Sequence, residues 1–246
     1  MEYRITGRGI NTMLQDNLMT LLKAKGAKLI GVADMDEFAV DGMNRGVAVA
    51  IPVPAYIVEN IRTAPTMEYY QMYHTLNEQL DNMVEAGAEY LRGQGFNARA
   101  YTKKSLSVND DLRTAFPYKT VATKAGLGWI GKSCLLVTEK YGSAVRLSGL
   151  LTDAPLVPSK PVTQSRCGNC QLCVKACPGN AIIGTNWTAG MPREEILRAH
   201  VCKETQIARM KQILGFYEGE RICGRCFAVC AYTQKYLRQS SSVASD

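Results

Sequence analysis

No stretch of this 246-residue sequence approaches the ~18 to 20 consecutive apolar residues of a membrane span, which excludes a helical membrane protein and any membrane partner. Its first ten residues, MEYRITGRGI, lack the charged and apolar regions of a secretory signal, so the chain is expected in the cytoplasm. It also lacks a dense Lys/Arg stripe with interleaved aromatics, which leaves nucleic-acid binding little support. Internal repeats are absent apart from one duplicated cysteine pattern. Only two histidines are present.

What is abundant is cysteine. Cys167-x-x-Cys170-x-x-Cys173-x-x-x-Cys177-Pro178 is answered by Cys202 and by Cys223-x-x-Cys226-x-x-x-Cys230. Three thiolates at i, i+3 and i+6 on a tight loop can take three corners of one [4Fe-4S] cube, and a fourth cysteine before proline points at a second cube. This crossing assigns Cys167, Cys170, Cys173 and Cys230 to cluster one, and Cys177, Cys202, Cys223 and Cys226 to cluster two. Structural zinc would use two CxxC pairs and needs no eight thiolates in this spacing. A disulfide framework would need an oxidising compartment and a smaller chain. The remaining Cys134, in the apolar run Cys134-Leu135-Leu136-Val137, reads as a buried strand residue.

The formal charge is +7, but two oxidised clusters with their thiolates, each about −2, bring the holoprotein to roughly +3. Residues 155–246 hold 12 Lys/Arg against 6 Asp/Glu, whereas residues 1–154 hold 17 against 16. The excess base therefore surrounds the clusters. It compensates their charge and suits docking of an acidic electron donor such as a flavodoxin or ferredoxin.

Residues 11–27 read as an amphipathic helix, with apolar strands at 28–32 and 46–52. A long helix with an aromatic stripe runs from about Tyr69 to Gly93, interrupted by Gly87 at a cost of about 1 kcal/mol relative to alanine. A strand near 97–102, a helix near 117–125 and strands at 133–138 and 144–150 complete a layered α/β or α+β domain over residues 1–154. Proline-rich residues 153–166 connect to the cluster domain (155–238), and residues 239–246 read as a disordered tail.

Gly126-Leu-Gly128-Trp-Ile-Gly131 fits G-x-G-x-x-G literally, yet a dinucleotide fingerprint needs a strand before the glycines and a helix after them. Here the predicted order is reversed. Glycines around Trp129 instead suggest backbone passing close to something flat, either a cofactor or a packed neighbouring strand.

The segment Ala125-GLGWIGK-Ser133, then Gly142-Ser143, Leu151-Thr152-Asp153 and CGNCQLCVKACPGNAI with CGRCFAVC, resembles the epoxyqueuosine reductases and their relatives, the reductive dehalogenases. The resemblance extends from about Tyr69 to Tyr236. It implies a nitroreductase-like domain holding base-off cobalamin against a ferredoxin-like domain with two [4Fe-4S] clusters, electrons passing from an external donor to cobalt for a two-electron reduction. On the same basis Tyr73 and His74 match the family's Tyr-His, and Gly126, Gly128, Trp129, Gly131 and Lys132 match the segment lining the cofactor cleft.

Three departures stand out. The family's Asp-Thr-x-Pro, whose aspartate resembles a proton donor, has Thr114 in place of the acid three residues before Pro117. Asp110, Asp111, Tyr118 and Lys119 are nearby substitutes, Asp111 and Tyr118 being taken as the catalytic candidates. The helical-repeat tRNA-binding domain of the tRNA-modifying enzymes does not follow Arg238, so tRNA is not expected as a partner. The twin-arginine leader and larger domain of respiratory dehalogenases are also missing.

The sequence thus leads to a cobalamin-dependent iron-sulfur reductase whose substrate, small-molecule or nucleoside-like, it does not identify. The alternatives are an electron-transfer protein serving a corrinoid protein or flavoenzyme, an epoxyqueuosine-tRNA reductase, and a flavin (FMN) in place of the corrinoid.

Overall fold

The computed structural model describes the backbone of residues 7–243 and the side chains of residues 12–241. Along the chain come α1 (Gly7–Ala24), β1 (Leu29–Asp34), β2 (Arg45–Pro52), α2 (Ala55–Asn60), α3 (Met67–Gly93), β3 (Ala98–Tyr101) and α4 (Tyr118–Lys124). They are followed by β4 (Trp129–Ile130), β5 (Leu136–Val137), β6 (Val145–Thr152), α5 (Leu172–Ala176), α6 (Ala199–Leu214), α7 (Arg225–Ala228) and α8 (Ala231–Val243). No helix among the described residues is long and apolar enough to cross a membrane.

The chain divides into two compact units, and the division is not a single cut. The first comprises residues up to Ile51, Asn77–Leu127 and Arg146–Val162; the second comprises Pro52–Leu76, Gly128–Val145 and residues from Thr163 onward. The last crossing between the units lies at 162/163, after two earlier excursions that no composition shift announces.

In the first unit, α1 buries Leu14, Leu18 and Leu22 at four-residue spacing, which sets one apolar stripe against the core. The sheet has strand order β1-β2-β6-β3, with β1 antiparallel to β2 (Leu29 opposite Ala50) and β3 antiparallel to β6 (Ala98 opposite Thr152). Residues 46–51 of β2 are all buried, as expected of a central strand covered on both faces. These antiparallel pairs make the protein mixed α+β. Gly87 in α3 has a steric reason: a Cβ there would lie 3.0 Å from Leu150 Cδ2 and 3.2 Å from Leu22 Cδ2. The helix gives up propensity for close packing.

The second unit holds the β4/β5 hairpin, with Trp129 opposite Val137, and the helices α5 to α8. Trp129, Phe227, Met210, Ile222 and Leu237 are among its buried apolar residues. Helix α6 stops at Gly215, whose φ of +80° is the left-handed cap.

Two expectations need correcting. The strand foreseen at 133–138 shrinks to Leu136–Val137, because residues 131–135 form the hairpin turn, closed by the Cys134 N–H donating to the Gly131 carbonyl at 2.8 Å. Cys134 is buried but lies in that turn, at φ +58°, and not in a strand. Residues 239–243 of the foreseen tail belong to α8, where Leu237 is buried and the Ser240 and Ser241 hydroxyls donate back to the carbonyls of Tyr236 and Leu237. The final three residues and the first ten, read above as lacking a signal, lie at least partly outside the described residues.

Candidate functional site

The cysteine segments fold as short helices joined by tight turns. Cys173 sits in α5 and Cys177 caps its end, Cys202 is on α6, Cys226 is on α7, and Cys223 and Cys230 flank α7. Gly224, at φ +78°, provides the left-handed turn between Cys223 and α7. None of the eight is in a disulfide and each is partly exposed; Cys134, also outside any disulfide, is buried.

Cys167, Cys170 and Cys173 from one segment and Cys230 from another line a single recess of about 410 Å³, part of it open solvent. Gly131, Lys132 and Ser133 of the hairpin turn, together with Leu172, Ala231 and Tyr232, line it as well. Burial, reinforced by the thiols of Cys230, Cys167 and Cys170, pushes the Cys173 thiol up to about 11. Its neighbours in charge are thus its neighbours in the recess.

Cys202 and Cys226 are raised in the same way. Burial raises the Cys202 thiol, Cys177, Cys223 and Cys134 push it further, and the Gln206 amide opposes them. Burial raises Cys226 well above the ordinary thiol range, with Cys223, Cys202, Cys173 and Cys177 adding to it. Gln206 Nε2 donates to Cys202 Sγ at 3.2 Å, and the Ala181 N–H donates to Cys177 Sγ at 3.3 Å. Thiols held protonated in this manner release their protons when iron binds, so loading couples to pH. Among the described residues no three His, Cys, Asp or Glu side chains are set to hold one metal ion. A cube asks for a wider spacing, since each thiolate takes its own iron.

The glycine run packs inward. A Cβ on Gly128 would lie 2.1 Å from the Val137 carbonyl oxygen, and one on Gly131 would lie 2.7 Å from Val137 Cγ2 and 3.5 Å from Cys167 Sγ. Gly126, at φ +75°, ends the turn after α4. Trp129 is buried, edge-on to Tyr232 at 4.9 Å, with the Arg166 guanidinium 5.4 Å from its ring; its Nε1 has no hydrogen-bond partner. Helix precedes this run and strand follows it, which is the wrong order for a nucleotide fingerprint. Of the residues that resemblance assigned to a corrinoid, Gly128 and Trp129 are engaged by their own hairpin and helix neighbours and do not by themselves form a corrinoid cradle. Gly131 and Lys132 face the thiol recess.

Tyr73 and His74 lie on the part of α3 that belongs to the second unit and do not line that recess. His74 is exposed, its ring 4.6 Å from Tyr70 and 5.7 Å from Tyr73. In the first unit Asp110 and Asp111 are exposed in the loop before Thr114, and Thr114 Oγ1 donates to the Phe116 carbonyl. Lys119 is half-buried in the first turn of α4. Tyr118 is half-buried, donates to the Tyr101 carbonyl at 2.5 Å, and is pushed up to about 12, mainly by burial.

Sequence reading missed Leu172, Ala231 and Tyr232, although each adjoins a ligand-pattern cysteine. It also missed a polar group in the first unit. Asn77 Oδ1 accepts from Arg146 Nε and Nη2 at 3.2 and 2.8 Å, while burial raises the Asp81 carboxyl. No spacing signal marks these.

Residues 160–183 match the model of the 4Fe-4S binding domain family. An epoxyqueuosine reductase of Listeria monocytogenes is 33% identical over 114 residues, 46% of this chain and 29% of that protein. In fold, the chain is similar to an epoxyqueuosine reductase solved with an epoxyqueuosine-modified stem loop of a tyrosine tRNA, at TM-score 0.60 and 22% identity, covering 91% of this chain and 66% of that one. A reductive dehalogenase whose structure was described as suggesting a mechanism for B12-dependent dehalogenation aligns at TM-score 0.68 and 16% identity, covering 93% and 34%. The chain thus spans less than two thirds of the length of each. The expectation against a tRNA partner is called into question by the tRNA-bound relative. Residues 160–183 thus carry the 4Fe-4S binding pattern, and over part of their lengths the chain is similar in sequence to epoxyqueuosine reductases and in fold to epoxyqueuosine reductases and reductive dehalogenases.

Proposed function

We propose that this chain is a reductase in which two [4Fe-4S] clusters carry electrons to a second cofactor, cobalamin, and that its substrate is the epoxide of an epoxyqueuosine-type nucleoside in tRNA. The observation that carries the reading is the convergence of Cys167, Cys170, Cys173 and Cys230, from segments over fifty residues apart, on one recess. Cys177, Cys202, Cys223 and Cys226 hold the second cluster in this reading, the thiols of Cys202 and Cys226 being raised by burial and by their neighbours among the four. The N–H groups of Gln206 and Ala181 aimed at two of their sulfurs favour the reduced form, because hydrogen bonds to sulfur raise cluster potential.

The names of the relatives support the substrate, and the fold shared with a B12-linked dehalogenase supports the corrinoid. In this reading residues 1–154 make up the nitroreductase-like, corrinoid-holding part. When bound, cobalamin would supply a metal centre able to collect two electrons and act on carbon. Deoxygenation of an epoxide to an alkene takes two electrons and two protons and releases water. Clusters held by these thiols would supply the electrons one at a time. An acidic flavodoxin or ferredoxin, attracted by the basic excess of residues 155–246, supplies the clusters.

A second reading, an electron-transfer protein without its own substrate, is favoured by one observation. Thr114 stands where the family's acid does and is bonded to the Phe116 carbonyl, and Tyr118 is held by the Tyr101 carbonyl.

Anaerobic reconstitution with iron and sulfide, then titration with cobalamin and separately with FMN, tests the proposal. A base-off cobalamin spectrum followed by conversion of epoxyqueuosine-containing tRNA is the expected result. Cobalamin binding without tRNA turnover removes the substrate, an FMN spectrum replaces the corrinoid, and binding of neither leaves the electron carrier.

A further inference from the structure

Lys132 is a charged residue with only 3% of its surface exposed, the most deeply buried cationic side chain among the described residues. It lines the recess of Cys167, Cys170, Cys173 and Cys230, and no carboxylate pairs with it among the described residues. The hairpin fixes it there. Gly131 must approach Val137 too closely for any side chain, and the Gly131 N–H and carbonyl bond Leu135 and Cys134 at 2.8 Å each. Arg166, the nearest cation in sequence to Cys167, is already paired with Glu139.

A lysine side chain withdrawn this far from solvent with no carboxylate beside it is unfavourable, and a protein retains one where an anion is supplied. The recess itself provides for that anion, because four thiolates around an oxidised cube carry about −2, and about −3 when reduced. We propose that Lys132 is the buried counter-ion of the cluster held by Cys167, Cys170, Cys173 and Cys230, setting its reduction potential, and that it does not serve as a contact to a second cofactor. The inference rests on the cluster assignment proposed above. A fixed positive charge favours the more negative state, so removing it disfavours the reduced cluster. Lys132 is a positioning residue for charge: it acts on the reacting electrons through the cluster.

The test is an EPR-monitored redox titration of reconstituted wild-type protein and of K132M, K132Q and K132R, with the signal assigned by its loss in C170S. The expected result is a reduction equilibrium at least tenfold less favourable in K132M and K132Q, which is 59 mV for one electron, and near wild type in K132R, with cobalamin affinity unchanged in all three. An unmoved potential in K132M overturns the proposal while leaving the cluster reading intact. A wild-type signal that survives C170S overturns the cluster reading itself. Should K132M and K132Q fail to assemble the cluster, K132R decides: assembly with arginine marks a need for charge, whereas failure of all three marks a need for shape and overturns the proposal.

Discussion

Replacing Gly128 with alanine adds one methyl group at the tightest backbone approach in the hairpin. That carbon would lie 2.1 Å from the Val137 carbonyl oxygen and 2.9 Å from its carbonyl carbon. Neither atom belongs to a side chain that can rotate away, and Val137 is itself paired with Trp129 in β4/β5. The hairpin must open by about 1 Å, and overpacking of this kind costs about 3 kcal/mol, the upper end for inserted methylenes. Alanine returns about 0.5 to 1 kcal/mol through the unfolded chain, leaving a net loss of about 2 kcal/mol and a melting temperature about 4 to 8 °C lower for a chain of this size. Gly93→Ala is the control, because nothing lies within 4 Å of its added carbon and it ends helix α3, so it is neutral or slightly stabilising. The assay is thermal unfolding of the two variants, together with the rate of cluster loss to a chelator. Equal stability of G128A and wild type would refute the steric reading of the glycine run and reopen it as a cofactor contact.

Cys170→Ser and Cys223→Ser should each abolish a different EPR signal, and loss of one common signal in both would contradict the division of thiols. Gln206→Leu removes the amide that donates to Cys202 Sγ; it should lower the potential of the second cluster without changing iron content, measured by redox titration. The Tyr118 hydroxyl titrates near 10 when unfolded and at about 12 when folded, mainly because of burial. The folded state therefore holds its proton longer, and stability falls as pH rises from 10 to about 12. With solvent screening discounted, Y118F should flatten that slope by about 1 kcal/mol and leave any pH profile of turnover between 6 and 9 unchanged. A change in that profile would restore Tyr118 as a proton donor.

The sequence made the thiol pattern and the aromatic helix α3 legible because both rest on local periodicity. The i, i+3, i+6 spacing of Cys167, Cys170 and Cys173 is a property of one loop, and the stripe Tyr69, Leu76, Leu80 and Met83 is a property of one helix, so neither needs tertiary information. The return of Cys230 to the same recess was readable from the duplicated motif. The role of the glycines was legible only as a pair of alternatives, a flat cofactor or a packed neighbouring strand. Gly128 and Gly131 answer to Val137, a strand partner that only the hairpin register identifies. The interleaved units escaped for a similar reason: helix α3 is continuous in periodicity but contributes residues to both units. Lys132 was legible only through the resemblance, which assigned it to a cofactor cleft; that it is buried against a recess of four cysteines follows from the fold alone.

The central claim is that one chain holds two four-iron clusters on the eight patterned thiols. Iron and acid-labile sulfide counting on anaerobically reconstituted, gel-filtered protein tests it most directly. The account predicts about eight irons and eight sulfides per chain, falling to about four of each in C170S and in C223S. About four irons in the wild-type protein, unchanged by one of the two substitutions, would contradict it.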